Sequence, residues 1–148
     1  MRIAVQMDAL DGINVAGDSS FALMLEAQAR GFRLWHYLPD QLDWVEGRVV
    51  ATARAVEVKR PAAPGEAHYR WLHEPHQLVF DHDIAVVLIP HALPFDMAYI
   101  SATHLLQRAQ AAGVMVVNDP ASVRNAPEKL FVLNYADLMP PTLVTRSL

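Results

Sequence analysis

Few residues in this chain have the types and spacing to do chemistry. Asp18-Ser19-Ser20 opens a segment of helical periodicity. Its hydroxyls and free backbone amides suit an anionic substrate, and they equally suit plain N-capping of the helix. Asp8 closes the first apolar run, where sites form in open α/β sheets, though a turn-stabilising role fits it as well. Seven histidines raise the question of a metal. His73-Glu-Pro-His76 spaces two imidazoles by three, yet Pro75 opposes a helix there, and His82-Asp83 has no third ligand. No metal site is expected. The chain has no cysteine, hence no thiol chemistry or disulfide framework. It carries neither a nucleophile-elbow serine nor a glycine-rich phosphate loop, and Asp11-Gly12 reads as a turn. Lys129, on a predicted helix with Pro127 in its first turn, is by type alone an ordinary solvated cation.

The elements that must position these groups alternate between strand and helix. Ile3–Met7 is a short apolar run of the kind buried on both sheet faces. A glycine- and aspartate-containing loop over 8–17 leads to a helix built on Phe21, Met24, Leu25 and Ala29 and ended by Gly31. Arg33–Tyr37 is the next strand, which makes a parallel strand–helix–strand unit. Leu42 to Ala51 reads as a hairpin turning at Glu46-Gly47 and extended by Ala55–Lys59. Pro61–Gly65 is a loop, and Tyr69–Leu72 and Gln77–Phe80 are further short strands. Tyr69, Trp71 and Phe80 are expected to form a satellite core rather than a stacking platform. Ile84–Ile89 is the clearest buried strand, followed by a loop over Pro90–Pro94. Asp96 caps a helix running to Ala112, with Ile100, Leu106 and Ala109 on one side, and Val114–Val117 is a strand. Helices at Ala121–Asn125 and Glu128–Tyr135 close the alternation. The expected fold is an α/β, Rossmann-like open and mostly parallel sheet with an antiparallel hairpin insertion.

Composition narrows the partners. At 148 residues and 53% apolar, the chain suits one compact domain. A net charge of −4 argues against nucleic acid as the main partner. Met1–Asp8 reads as a strand rather than a signal peptide, and no apolar run approaches the roughly 20 residues of a membrane span. A soluble, cytoplasmic protein is the expectation. The paired prolines and β-branched residues after Met139 look like a lead-in to a second unit.

Gln6-Met-Asp8, Asp18 through Gly31, Pro94 through Ile100, Val117-Asn-Asp-Pro120, Asn125 through Leu130 and Pro140 through Thr145 stand in an order and spacing that closely resemble the N-terminal part of bacterial glutathione synthetases. The resemblance runs nearly end to end and is weakest from Pro61 to Val79. It implies a pre-ATP-grasp domain over residues 1–148, with 119–148 leading toward an ATP-grasp domain. It implies a ligase that joins γ-glutamylcysteine to glycine with ATP and Mg2+ through an acyl phosphate, commonly as a homo-oligomer. It implies that Lys129 reaches the ATP phosphates and that the catalytic arginines and metal-binding carboxylates belong to the other half. This chain alone is therefore expected to be inactive. It departs from the family after Ile89: Pro90-His-Ala-Leu-Pro94 stands where an arginine, a polar residue, an aspartate and two prolines are usual. His91 thus occupies an altered crevice loop and joins the substrate-side candidates. Two alternatives stay open: a different ATP-dependent carboxylate–amine ligase, and a non-catalytic binding or assembly domain.

Overall fold

The structure, a computed structural model, describes residues 1–63, 65–89, 96–145 and 147, and of Glu128 and Lys129 the backbone alone. Strand β1 (Arg2–Gln6), helix α1 (Ser19–Ala29) and strand β2 (Arg33–Tyr37) form the expected parallel unit, registered from Arg2–Arg33 to Gln6–Tyr37. Alternation along each strand sorts its side chains. Ile3, Val5 and Leu34 meet Phe21, Met24 and Ala27 of α1 on one face. Ala4, Trp35 and Tyr37 face the other way, into a second core completed by helix α3 (Met97–Ala111) through Tyr99, Ala102, Leu106 and Ala109. The sheet is thus covered on both sides.

Strands β3 (Leu42–Val45) and β4 (Arg48–Val58) make the expected hairpin. Its two turn residues, Glu46 (φ 49°) and Gly47 (φ 84°), both sit in the left-handed region. That is the condition for a primed turn whose twist matches the flanking strands. The antiparallel part is larger than one hairpin. The second half of β4 pairs with β2 and with β5 (Tyr69–Trp71), and its first half pairs with β3 and β6 (His76–Val79). The sheet order is β3-β4-β2-β1-β7-β8, where β7 is Val86–Leu88 and β8 is Met115–Val117, and the four strands from β2 to β8 run parallel. A Rossmann-like α/β domain is what the structure has.

Several elements differ from expectation. In the run Ile84–Ile89 the strand is Val86–Leu88, registered with Ile3–Val5 of β1 and Met115–Val117 of β8, and the Ala85 and Ile89 amides donate to the Arg2 and Val117 carbonyls at its two ends. Phe80, expected to end a strand, instead opens the short helix α2 (Phe80–Asp83), and the amide of Ile84 donates to its carbonyl. The three aromatic residues divide between the two faces. Phe80 packs edge-on against Tyr37 at 5.6 Å, whereas Tyr69 and Trp71 pair with each other at 5.0 Å on the α1 side. On α3 the buried stripe is Tyr99, Ala102, Thr103, Leu106 and Ala109, with Ile100 only half-buried. After helix α4 (Pro120–Asn125), the expected helix 128–135 breaks into α5 (Glu128–Phe131) and a 3-10 segment (Val132–Leu138) that is non-helical at Tyr135. Leu130, Phe131, Val132, Leu133, Tyr135 and Leu138 are all exposed. No single apolar stripe meets a partner there, so nothing holds a regular helix. Among the described residues no helix is long and apolar enough to cross a membrane.

Gln6 is out of place among these apolar residues. It is 1% exposed, and among the described residues neither its amide nitrogen nor its amide oxygen has a hydrogen-bond partner. A buried, unpaired amide costs about 1–3 kcal/mol. Gln6→Met should therefore raise the urea midpoint, and a lower midpoint would mean that the amide is hydrated in solution.

Candidate functional site

The chain leaves β1 through α1 on one face to reach β2, and the sheet continues on the other side of β1 into β7 and α3. Such a reversal opens a crevice at the carboxyl ends of the strands, here β1 and β7. Asp8 lies at that end and is exposed, and its backbone carbonyl accepts from His36 Nε2 at 3.0 Å. That contact requires the His36 proton to be on Nε2. Asp18 has the capping role: it precedes α1, and its Oδ1 accepts from the Phe21 amide at 2.8 Å. Ser19 is exposed, and Ser20 is 7% exposed and so buried. The helix start and Asp8 flank one loop, so the structure brings four of the predicted residues to the same end of the sheet. Lys129 lies in α5, further along the chain. His91 and the Pro90–Pro94 loop lie outside the described residues. Asn118 ties the neighbouring strand ends together, donating from Nδ2 to the Ile89 carbonyl at 3.2 Å.

Beside this crevice is a pocket of about 220 Å3, lined by Asp11, His36, Gln41, Thr52, Arg54 and Trp71 among others. The guanidinium of Arg54 stacks 5.0 Å from the Trp71 ring centre while its Nε donates to the His73 carbonyl at 2.8 Å. The Tyr69 hydroxyl donates to Asp11 Oδ1, and this bond holds the phenol pKa above its ordinary value. Motif reading missed this pocket. Its residues come from the β1–α1 loop, β2 and the segment after it, β4, β5 and the β5–β6 connection, and the pairing of β4 with both β2 and β5 brings most of them together. Among the described residues no three of His, Asp and Glu gather to hold an ion.

Burial lowers the pKa of His36 from its ordinary 6.5, outweighing the contacts with the Asp8 and Met7 carbonyls and the Asp8 charge that raise it. The unfolded chain then binds a proton that the folded chain refuses. This part of the stability is complete above pH 6.5 and is lost as pH falls below it, until the folded state itself protonates. Urea midpoints taken from about pH 8 down to about pH 5 should fall, and His36→Asn should flatten that part of the profile. An unchanged slope in the variant would rule out this histidine as its source.

With this geometry in hand, similarity to known proteins is decisive. The family model for the prokaryotic glutathione synthetase N-terminal domain matches residues 1–124. The chain belongs to that family. It is 48% identical to the glutathione synthetase of Agrobacterium fabrum, over 98% of this chain and 44% of the relative. It is 49% identical to that of Bradyrhizobium diazoefficiens, over 100% of this chain and 45% of the relative. The glutathione synthetase of Escherichia coli O157:H7 is more distant, at 37% identity over 99% of this chain. The chain spans less than half the length of these relatives. Lys129 falls beyond the residues matched by the family model but within the span aligned to the Bradyrhizobium glutathione synthetase.

Proposed function

We propose that this chain is the substrate-side, pre-ATP-grasp domain of a cytoplasmic, ATP-dependent carboxylate–amine ligase, a glutathione synthetase that joins γ-glutamylcysteine to glycine. A C-terminal ATP-grasp domain supplies the rest of the active site, and residues 119–148 lead toward it. The observation that carries this reading is the match to glutathione synthetases over about 45% of their length, combined with the uncovered apolar surface at Leu130–Leu138. That surface suits a domain that works against a second wall.

The residues present fit ATP only in part. Lys129 offers a compact point charge for a polyphosphate. A single cation without an opposing wall leaves most ligand contacts unmade, so the chain by itself should hold ATP weakly. The described residues provide no donor set for Mg2+. What they do is bind and orient. Asp8 and the Asp18-Ser19-Ser20 turn border the crevice, and His91 is the candidate from the altered loop. ATP, when bound, would supply the phosphoryl group that activates the substrate carboxylate.

The test is ADP release with γ-glutamylcysteine and glycine. The chain alone should show none, and the chain joined to the C-terminal portion of a relative should show turnover. Robust turnover by these residues alone would overturn the reading. The same uncovered apolar residues also favour self-association, which light scattering on a chromatographed sample would detect; a strict monomer at high concentration would count against it.

A further inference from the structure

We propose that the pocket between the β1–α1 loop and β4 binds the zwitterionic head group of an α-amino acid, with Arg54 meeting the carboxylate and Asp11 the ammonium. This deepens the ligase reading, on which it rests for assigning the head group to a substrate.

The two charges reach the pocket from different elements, Asp11 from the β1–α1 loop and Arg54 from β4. Neither is used up by the fold. Arg54 spends Nε on the His73 carbonyl and is held flat by Trp71. Its ion pair with Glu74 is long, at 3.5 Å, and Glu74 is 90% exposed, so solvent screens it. The remaining edge of the guanidinium can therefore take a carboxylate. Asp11 accepts from Tyr69 through Oδ1, and among the described residues no bond to its Oδ2 is made. The ring of His36 adds no charge, because its Nε2 proton is committed to the Asp8 carbonyl and burial disfavours a second proton. The wall thus carries one cation and one anion.

That balance discriminates. A simple carboxylate would meet Asp11 as well as Arg54, and a simple amine would meet Arg54 as well as Asp11, so each suffers one repulsion. Only a ligand carrying both charges close together satisfies both. A volume of about 220 Å3 admits such a head group and is small for a nucleotide. The pocket lies beside the carboxyl ends of β1 and β2, next to the β1–β7 crevice where ligands enter this class of sheet.

The test is a titration of the 15N-labelled chain with glycine, L-glutamate and γ-glutamylcysteine, read by amide shifts. Shifts should appear at residues 9–11 and 52–54. Asp11→Asn and Arg54→Gln should each weaken binding about tenfold or more, the effect of one charge-assisted hydrogen bond. Glutarate, which lacks the ammonium, should bind the unaltered chain about tenfold more weakly than L-glutamate. The ranking of the three ligands identifies which substrate's head group sits there. If Arg54→Gln does not fold, Asp11→Asn decides, since asparagine still accepts from Tyr69. No shift with any of the three ligands, or equal binding of glutarate, overturns the proposal. The ligase reading is scored separately by ADP release from the joined protein. Turnover with unchanged KM in both variants removes the pocket and leaves the ligase; head-group binding without ligation does the reverse.

Discussion

Phe21→Ala should lower the unfolding free energy by about 3–5 kcal/mol, a large share of the roughly 5–15 kcal/mol that holds a domain of this size together. Phe21 is fully buried in the α1 core, among Val5, Leu10, Met24 and Leu34, with the ring of His68 edge-on at 5.6 Å. Removing the ring loses its transfer energy and leaves a cavity that flanking strands cannot close. The effect should extend beyond stability. Phe21 is the residue whose amide Asp18 caps, so its side chain anchors the start of α1 and the loop that carries Asp8 and Asp11. Urea unfolding gives the first effect, and weaker head-group binding in buffer gives the second. A midpoint shift corresponding to less than about 1 kcal/mol would show that the ring is not the anchor described here.

Lys129→Met, made in the chain joined to the C-terminal portion of a relative, should reduce kcat/KM for ATP by about a hundredfold. Placing a fixed charge against developing phosphate charge is typically worth that much or more. Arginine should rescue only in part, because its planar fork is a different donor from a compact ammonium. The unfolding midpoint is the control, and it should stay within about 0.5 kcal/mol of the parent, as exchanges away from the core do. A change in kcat/KM of less than about threefold would make Lys129 a bystander.

The legible parts of the fold were those in which the pattern is local. Asp18 before Phe21, Gly31 after Ala29 and Glu46-Gly47 between Trp44-Val45 and Val49-Val50 each encode their own geometry, and α1, β2 and the hairpin appear where they were expected. Parts set by distant partners were not legible. An apolar run such as Ile84–Ile89 signals burial on both faces, but the extent of its pairing depends on β1 and β8. Tyr69 and Phe80 are alike in type, yet they lie on opposite sides of the sheet because β5 and β6 meet different halves of β4. The candidate site divides in the same way. The β1 end and the capped helix start follow from alternation, whereas Arg54 and Asp11 come to line one pocket only once separate segments have met. Gln6 reads as one polar residue in an apolar run, and nothing in that run shows that its amide is left unpaired.

The many-partnered strand β4 has a consequence for how the chain acquires its shape. Its pairings with β2, β3, β5 and β6 all join segments lying between Arg33 and Val79, whereas Ile3 must find Val86. Closing a long loop has to precede any gain from the contacts it brings, so near-neighbour pairings are kinetically favoured. The antiparallel lobe should be the early-forming part, with β7 seated last. Pulsed hydrogen exchange during refolding should find the amides of β4 protected before those of β7, and simultaneous protection would show that assembly is concerted.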